Sequence, residues 1–280
     1  MKNKLKSIFI STYITALLLG TAVAIWHLVA GRSGAWLSVL IALSPALLFF
    51  VRLFVRPIAR TSQHLYGLLG FAAIGACSTL ILSPASWVPF SLSLVVGLGG
   101  GVLYVFWYSR LSRPENDRLV VGQRLPLFTV MDTDGNLIPS DTFQGRPHLL
   151  LFFRGNWCPL CMAQIREVAA QYRELHARGV RVALVSPQPH ENTQALAQRF
   201  DVPMEFYTDS DNKAAHALKI NHDAGLPEGL QVMGYDSDTV FPTVIMTDAG
   251  GHIIFVDLTD NYRIRPEPDV FLSILDKYIK

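Results

Sequence analysis

The sequence predicts an all-α bundle of four membrane-spanning helices followed by an α/β layered domain. Three observations carry that expectation. Four apolar segments, at about 8–30, 35–55, 65–82 and 87–108, each approach the roughly 20 residues that cross a bilayer. Beyond residue 120, runs of strand length alternate with segments of helical period, the pattern of a layered fold with parallel strands. Two thiols, Cys158 and Cys161, stand three residues apart where one of those strands turns into a helix.

Charge divides the chain at the same place. No Asp or Glu precedes Glu115, while residues 1–114 hold nine basic residues. The remainder carries fifteen basic and all 22 acidic residues, a net charge of −7 hidden beneath the chain's formal +2. An acidic soluble half argues against nucleic acid as its partner, since a phosphate-binding surface needs a positive patch. The expected domains are 1–111 (transmembrane), 112–119 (a polar linker) and 120–280 (the soluble domain).

In the first half, Trp26, Trp36, Trp87, Trp107 and Tyr108 sit near segment ends, as interfacial aromatics do. Lys2, Lys4 and Lys6, then Arg52, Arg56 and Arg60, then Arg110 and Arg113 flank one side; the other side has only Arg32. Positive-inside counting therefore places both termini, and the soluble domain, on the cytoplasmic face of a multi-pass inner-membrane protein. A lysine-rich start followed by Ala22-Val23-Ala24 also fits a cleaved signal peptide, but the apolar run continues to Ala30, which favours a retained helix. Cys77 reads as a small buried residue. The Gly97-to-Gly101 run permits close helix packing, within the chain or between copies. Acidic residues that would mark an ion path are absent from the segments.

The soluble half reads in order as follows. Leu127–Met131 and Asn136–Ile138 form a hairpin turned at Asp134-Gly135. His148–Phe153 is a buried strand. The helix after it runs from the cysteines to Ala177 on an apolar stripe of Met162, Ile165, Val168, Ala169, Tyr172 and Leu175, and Gly179 caps it. Strands at Val180–Val185 and Glu205–Tyr207 alternate with helices at Asn192–Arg199 and Asn212–Leu218. A polar insertion spans 221–238, Val240–Met246 and His252–Val256 pair through Asp248–Gly251, and a helix over Pro268–Ile279 closes the chain. Pro242 conflicts with a central strand because it lacks an N–H, and a cis proline at the strand start would resolve the conflict.

Position gives the dithiol its chemistry. Helix-start N–H groups and the helix dipole favour a thiolate on Cys158, with Cys161 one turn on and able to close a disulfide. Pro159 suits the first turn. With only three cysteines and no second pair, the C-x-x-C makes a poor zinc site, because structural zinc wants four ligands. Arg154 is the nearest cation for a thiolate or a leaving oxygen; Arg263 and Arg265 are secondary candidates.

Four stretches carry a family resemblance: Gly122–Asn136, Arg154-Gly155-Asn156-Trp157-Cys158-Pro159-Leu160-Cys161, Phe241–Gly251 and Val256–Pro268. Together they make residues 120–280 resemble the thioredoxin-like superfamily, specifically its AhpC/TSA, peroxiredoxin-like branch. The membrane half lies outside the resemblance. It implies a thioredoxin-like fold, with Cys158 as attacking cysteine, Cys161 as resolving cysteine and Pro242 as the cis proline beside them. Trp157, Pro159, Phe241 and Pro242 then form the substrate-binding set. The chain departs from the family at Leu151 and Gly155, where peroxiredoxins usually carry Pro and Thr or Ser, and at Phe152, where thioredoxins usually bury Asp. The implied function is a thiol-dependent oxidoreductase in the bilayer, reducing peroxides or protein disulfides. It uses the Cys158–Cys161 disulfide and no other cofactor, and draws electrons from a thioredoxin-type or small-thiol donor. The alternative is a non-catalytic redox sensor or docking module using the same reversible bond.

Overall fold

The structure, a computed structural model, describes residues 2–278 and divides into two compact units, one mainly 2–110 and the other mainly 111–278.

The first unit is helical: α1 (Lys2–Val29), α2 (Ala35–Val55), α3 (Tyr66–Leu82) and α4 (Trp87–Tyr108), the last partly wound with π-type pairing. Helices α1, α2 and α4 are long and apolar enough to cross a membrane, whereas α3 has 17 residues. Large apolar side chains such as Leu19, Leu48, Phe54 and Ile74 point outward, so this unit presents an apolar exterior. Small residues set its interior. A Cβ on Gly75 or Gly97 would meet Ala42 of α2, and one on Gly100 would meet the Tyr13 ring of α1. The glycine run thus serves packing within the chain. Cys77 is exposed on α3, contrary to its expected burial.

The second unit holds nine strands among the described residues: β1 (Thr129–Met131), β2 (Leu137–Pro139), β3 (His148–Phe152), β4 (Arg181–Ser186), β5 (Glu205–Thr208), β6 (Asn221–His222), β7 (Thr239–Val240), β8 (Thr243–Thr247) and β9 (Ile253–Asp257). Seven form one sheet in the order β2-β1-β5-β4-β3-β8-β9. Strand β3 runs parallel to β4, which runs parallel to β5, and β8 and β9 lie antiparallel on the other side. The helices are α5 (Pro159–Ala170), α6 (Tyr172–Ala177), α7 (His190–Ala197), α8 (Lys213–Ala217) and α9 (Pro268–Tyr278). This is the thioredoxin-like arrangement: a parallel β3-α5-β4 crossover, an antiparallel β8-β9 hairpin and the dithiol at the β3–α5 turn. Burial explains β3's unbroken apolar run, because all five of its residues are buried in the middle of the sheet.

Three expectations are corrected. The helix after the cysteines breaks at Gln171, whose backbone leaves the helical region (φ −96°, ψ 10°), so α5 and α6 are separate. Gly179 still closes α6, at φ +74° with the Val180 N–H on the Leu175 carbonyl. No cis peptide occurs among the described residues, so Pro242 is trans. It lies in the break between β7 and β8, where its missing N–H costs no ladder bond. The expected linker is bound into the second unit. Arg113 donates to the Pro242 carbonyl, to Thr243 Oγ1 and to the Thr259 carbonyl, the last two at 3.1 Å, and Asn116 Nδ2 donates to the Leu218 carbonyl at 2.9 Å. Residues 57–60 count with this unit too, and Arg60 pairs with Glu167 of α5.

Truncating β3 tests this architecture. Leu150 is wholly buried in the main apolar cluster, so Leu150→Ala costs about 2–5 kcal/mol. Leu137, 72% exposed, tolerates the same change nearly without loss. Comparing the two variants by thermal unfolding of the full-length chain checks both values.

Candidate active site

Strand β3 delivers the site. Its ladder ends at Phe152, and the Phe153 N–H still reaches the Val185 carbonyl at 2.9 Å, which fixes the exit direction. The chain then turns through Arg154, Gly155, Asn156 and Trp157. Gly155 has φ +146°, and a Cβ there would meet Trp157 Nε1 at 2.6 Å, so only glycine fits. The Asn156 N–H donates to Gln188 Oε1 at 2.8 Å, and Tyr235 Oη donates to Asn156 Oδ1, tying the turn to β4's exit loop and to the insertion. Cys158 is the N-cap of α5 and Pro159 its first residue.

Both sulfurs are buried: Cys158 is 2% exposed and Cys161 0%. They are unbonded and share a hydrogen bond at 2.8 Å, so closing a disulfide needs a contraction of less than 1 Å. Arg265, itself buried, donates from Nη2 to Cys161 Sγ at 3.4 Å and from Nη1 to Gln164 Oε1 at 2.7 Å. Arg154 lies over the Trp157 ring, 4.6 Å from its centre, and donates to the Gly225 carbonyl; its own carbonyl accepts from Thr239 Oγ1 at 2.9 Å.

Electrostatics then separate the two thiols. Burial pushes the Cys161 thiol up. The hydrogen bond with Cys158, the Arg265 guanidinium, a backbone hydrogen bond from Arg154 and the Arg154 guanidinium together outweigh that, holding it down at about 5. Burial pushes the Cys158 thiol well above its ordinary value, and the neighbouring Cys161 sulfur adds to the rise. The expected helix-start stabilisation of Cys158 does not act through a direct bond, since its side chain makes no cap hydrogen bond. The two thiols are thus shifted in opposite directions, Cys161 down and Cys158 up.

Four buried N–H donors on residues around the pair have no acceptor: Arg154 Nε, Trp157 Nε1, Gln164 Nε2 and Arg265 Nε. A buried donor left unpaired is satisfied by an oxygen acceptor. Among the described residues no cluster of His, Cys, Asp or Glu could hold a metal ion.

The expected site residues are brought together only in part. Cys158, Cys161, Arg154, Trp157 and Pro159 lie in one turn. Phe241 is buried, with the His222 ring stacked 4.4 Å from it and the Arg113 guanidinium 4.9 Å from its centre, so it is packed against the protein's own side chains. Pro242 lines the same small cavity as Gln164 and Arg265. Arg263 is wholly buried, and its backbone N–H donates to Asn261 Oδ1. Arg265 proves more closely engaged than Arg154, and Gln164 was missed. Gln164 stands three residues after Cys161, on the same helix face, a legible signal; the approach of Arg265 depends on the fold.

Residues 121–256 match the model of the AhpC/TSA family. Over 96 residues the chain is 25% identical to the chloroplastic peroxiredoxin Q of Sedum lineare, covering 34% of this chain and 52% of that protein. Over 92 residues it is 26% identical to the peroxiredoxin bcp of Coxiella burnetii, covering 33% of this chain and 61% of that one. The chain thus spans between half and two thirds of the length of these relatives. Among solved structures, AhpC of Enterococcus faecalis is similar at 14% identity and a TM-score of 0.45, over 56% of this chain and 91% of that one. AhpC of Mycobacterium tuberculosis is similar at 15% identity and a TM-score of 0.45, over 57% and 93%. The fold assignment rests on the sheet order itself.

Gly155 gives the test of this site. Gly155→Thr, which supplies the hydroxyl usual in peroxiredoxins, has no room beside Trp157 and strains the backbone by about 1–3 kcal/mol. The variant is expected to melt earlier and to oxidise its thiols more slowly than the parent chain. Faster thiol oxidation at unchanged stability would contradict the geometry.

Proposed function

Starting from residues 121–256 as an AhpC/TSA-family domain, we propose that the chain is a membrane-anchored, thiol-dependent peroxidase. Cys158 attacks the terminal oxygen of a peroxide. An S–O bond forms as the O–O bond breaks, and the departing alkoxide takes a proton to leave as alcohol. Cys161 then attacks the sulfenic sulfur of Cys158, forming the S–S bond and releasing water. A thioredoxin-type or small-thiol reductant restores the dithiol, so the redox-active disulfide is the reacting group and no further cofactor enters.

The observation that carries this reading is a sulfur pair almost sealed from solvent, with unpaired N–H donors on the neighbouring residues Arg154, Trp157, Gln164 and Arg265. Peroxide oxygens are good acceptors and a peroxide is small. A protein disulfide brings sulfur, a weak acceptor, on a backbone too bulky for a centre that is 2% exposed. Peroxide is therefore favoured over protein disulfide as substrate.

Anchoring is supported by the three long apolar helices and the outward apolar side chains. The distribution of Lys and Arg supports a multi-pass inner-membrane protein with both termini and the redox domain in the cytoplasm, where thiol reductants are abundant.

Hydrogen peroxide added to the reduced full-length chain tests the activity. Oxidation about 10²-fold or more faster than that of a free thiol is expected, equivalent to about 2.7 kcal/mol of barrier. Cys158→Ser should abolish turnover with a thioredoxin system. A rate no faster than free cysteine would overturn the peroxidase reading.

A further inference from the structure

Arg265 is a buried cation, and among the described residues no carboxylate lies within ion-pair distance of it. A buried guanidinium requires a counter-charge. The hydrogen-bonded partners of this one are the neutral Gln164 and the sulfur of Cys161. Gln164, 2% exposed, aims the guanidinium by accepting from Nη1 while Nη2 faces the sulfur. By contrast, Cys158 receives no cap hydrogen bond on its side chain from the start of α5. Arg265 also lies beyond the residues that match the family model, which end at 256.

We propose that Cys161, held by Arg265, is the sulfur that carries the negative charge in the reduced dithiol, and that it is the proton acceptor for Cys158. Its chemistry rests on the peroxidase reading above; the location of the charge does not. As Cys158 Sγ attacks the peroxide, its proton passes to Cys161 Sγ, 2.8 Å away. The S–O bond forms, the O–O bond breaks, and the departing alkoxide takes that proton from Cys161, which is again a thiolate. Cys161 then attacks the Cys158 sulfenic acid: the S–S bond forms and the departing hydroxide leaves as water with a proton from solvent. Arg265 is the positioning residue that keeps Cys161 ionised at the start and ready at the second step.

Other charges face this pair. Arg154 acts on both sulfurs in the same sense as Arg265, and Asp257 of β9 faces Arg265. The lowered Cys161 value of about 5 agrees with the placement.

Thiolate ultraviolet absorbance, titrated on the full-length chain and corrected with the Cys158→Ser/Cys161→Ser double variant, decides the matter. Cys158→Ser, which leaves Cys161 beside a hydroxyl donor, is expected to ionise well below the ordinary thiol value of about 8.5. Cys161→Ser is expected at or above that value. Adding Arg265→Gln to Cys158→Ser raises the midpoint by about 1–3 pH units, and Arg265→Lys restores most of the shift. The oxidation rate of the parent chain rises through the Cys161 ionisation, and Arg265→Gln moves that rise by the same amount. An acidic thiol in Cys161→Ser, or an Arg265→Gln titration that does not move, would overturn the proposal. If Arg265→Gln does not fold, the two serine variants decide alone. Absent peroxide turnover with the expected titrations removes the peroxidase reading and leaves the charge assignment standing.

Discussion

The guanidinium of Arg265 is buried 3.4 Å from the sulfur of Cys161, with no carboxylate within ion-pair distance among the described residues. Burial penalises both charges, and each offsets the penalty of the other. Removing one partner of such a buried pair leaves an uncompensated charge at a cost of about 3–5 kcal/mol. Oxidation does this chemically, because a disulfide carries no charge. Asp257, which lies beyond ion-pair distance, is then the carboxylate that still favours the Arg265 charge among the described residues. The dithiol form is favoured accordingly, and a couple tipped toward its dithiol is readily re-reduced after each oxidation.

The scaffold supplies what a single pair cannot. Strand β3 sits between β4 and β8 with every residue buried, so the turn that follows it starts from a fixed point. Asn156, tied to Gln188 and Tyr235, holds the middle of that turn, and Arg154 pins it to Gly225 and Trp157. Gly155 is the one residue type the geometry allows, which accounts physically for the missing family hydroxyl: a side chain there would occupy the space of the indole. The charged neighbours of the dithiol are instead the guanidinium groups of Arg154 and Arg265.

Much of this was legible in the residues themselves. The apolar run of β3, the helical stripe of α5, the Asp134-Gly135 turn with Gly135 at φ +88° and the Gly179 cap follow from local rules, and all are present. Local rules misplaced Pro242, because the strand it seemed to interrupt is two strands with the proline between them. They also read 112–119 as a linker on polarity alone, although Arg113 and Asn116 bond to carbonyls more than 100 positions away. The same limit applies to Arg265, 104 residues from Cys161. Spacing within a motif shows which thiols can meet; which cation faces them is decided by how β9 and the segment after it return to α5.

The central claim is that the closed, buried dithiol holds one proton and one negative charge near neutral pH. The reduction potential of the Cys158–Cys161 couple, followed against pH between 6 and 8, tests it most directly. A two-electron couple whose reduced form takes up a single proton changes by about 30 mV per pH unit, and that slope is what the account predicts. A slope of about 59 mV per unit, the mark of two protonated thiols, would contradict it.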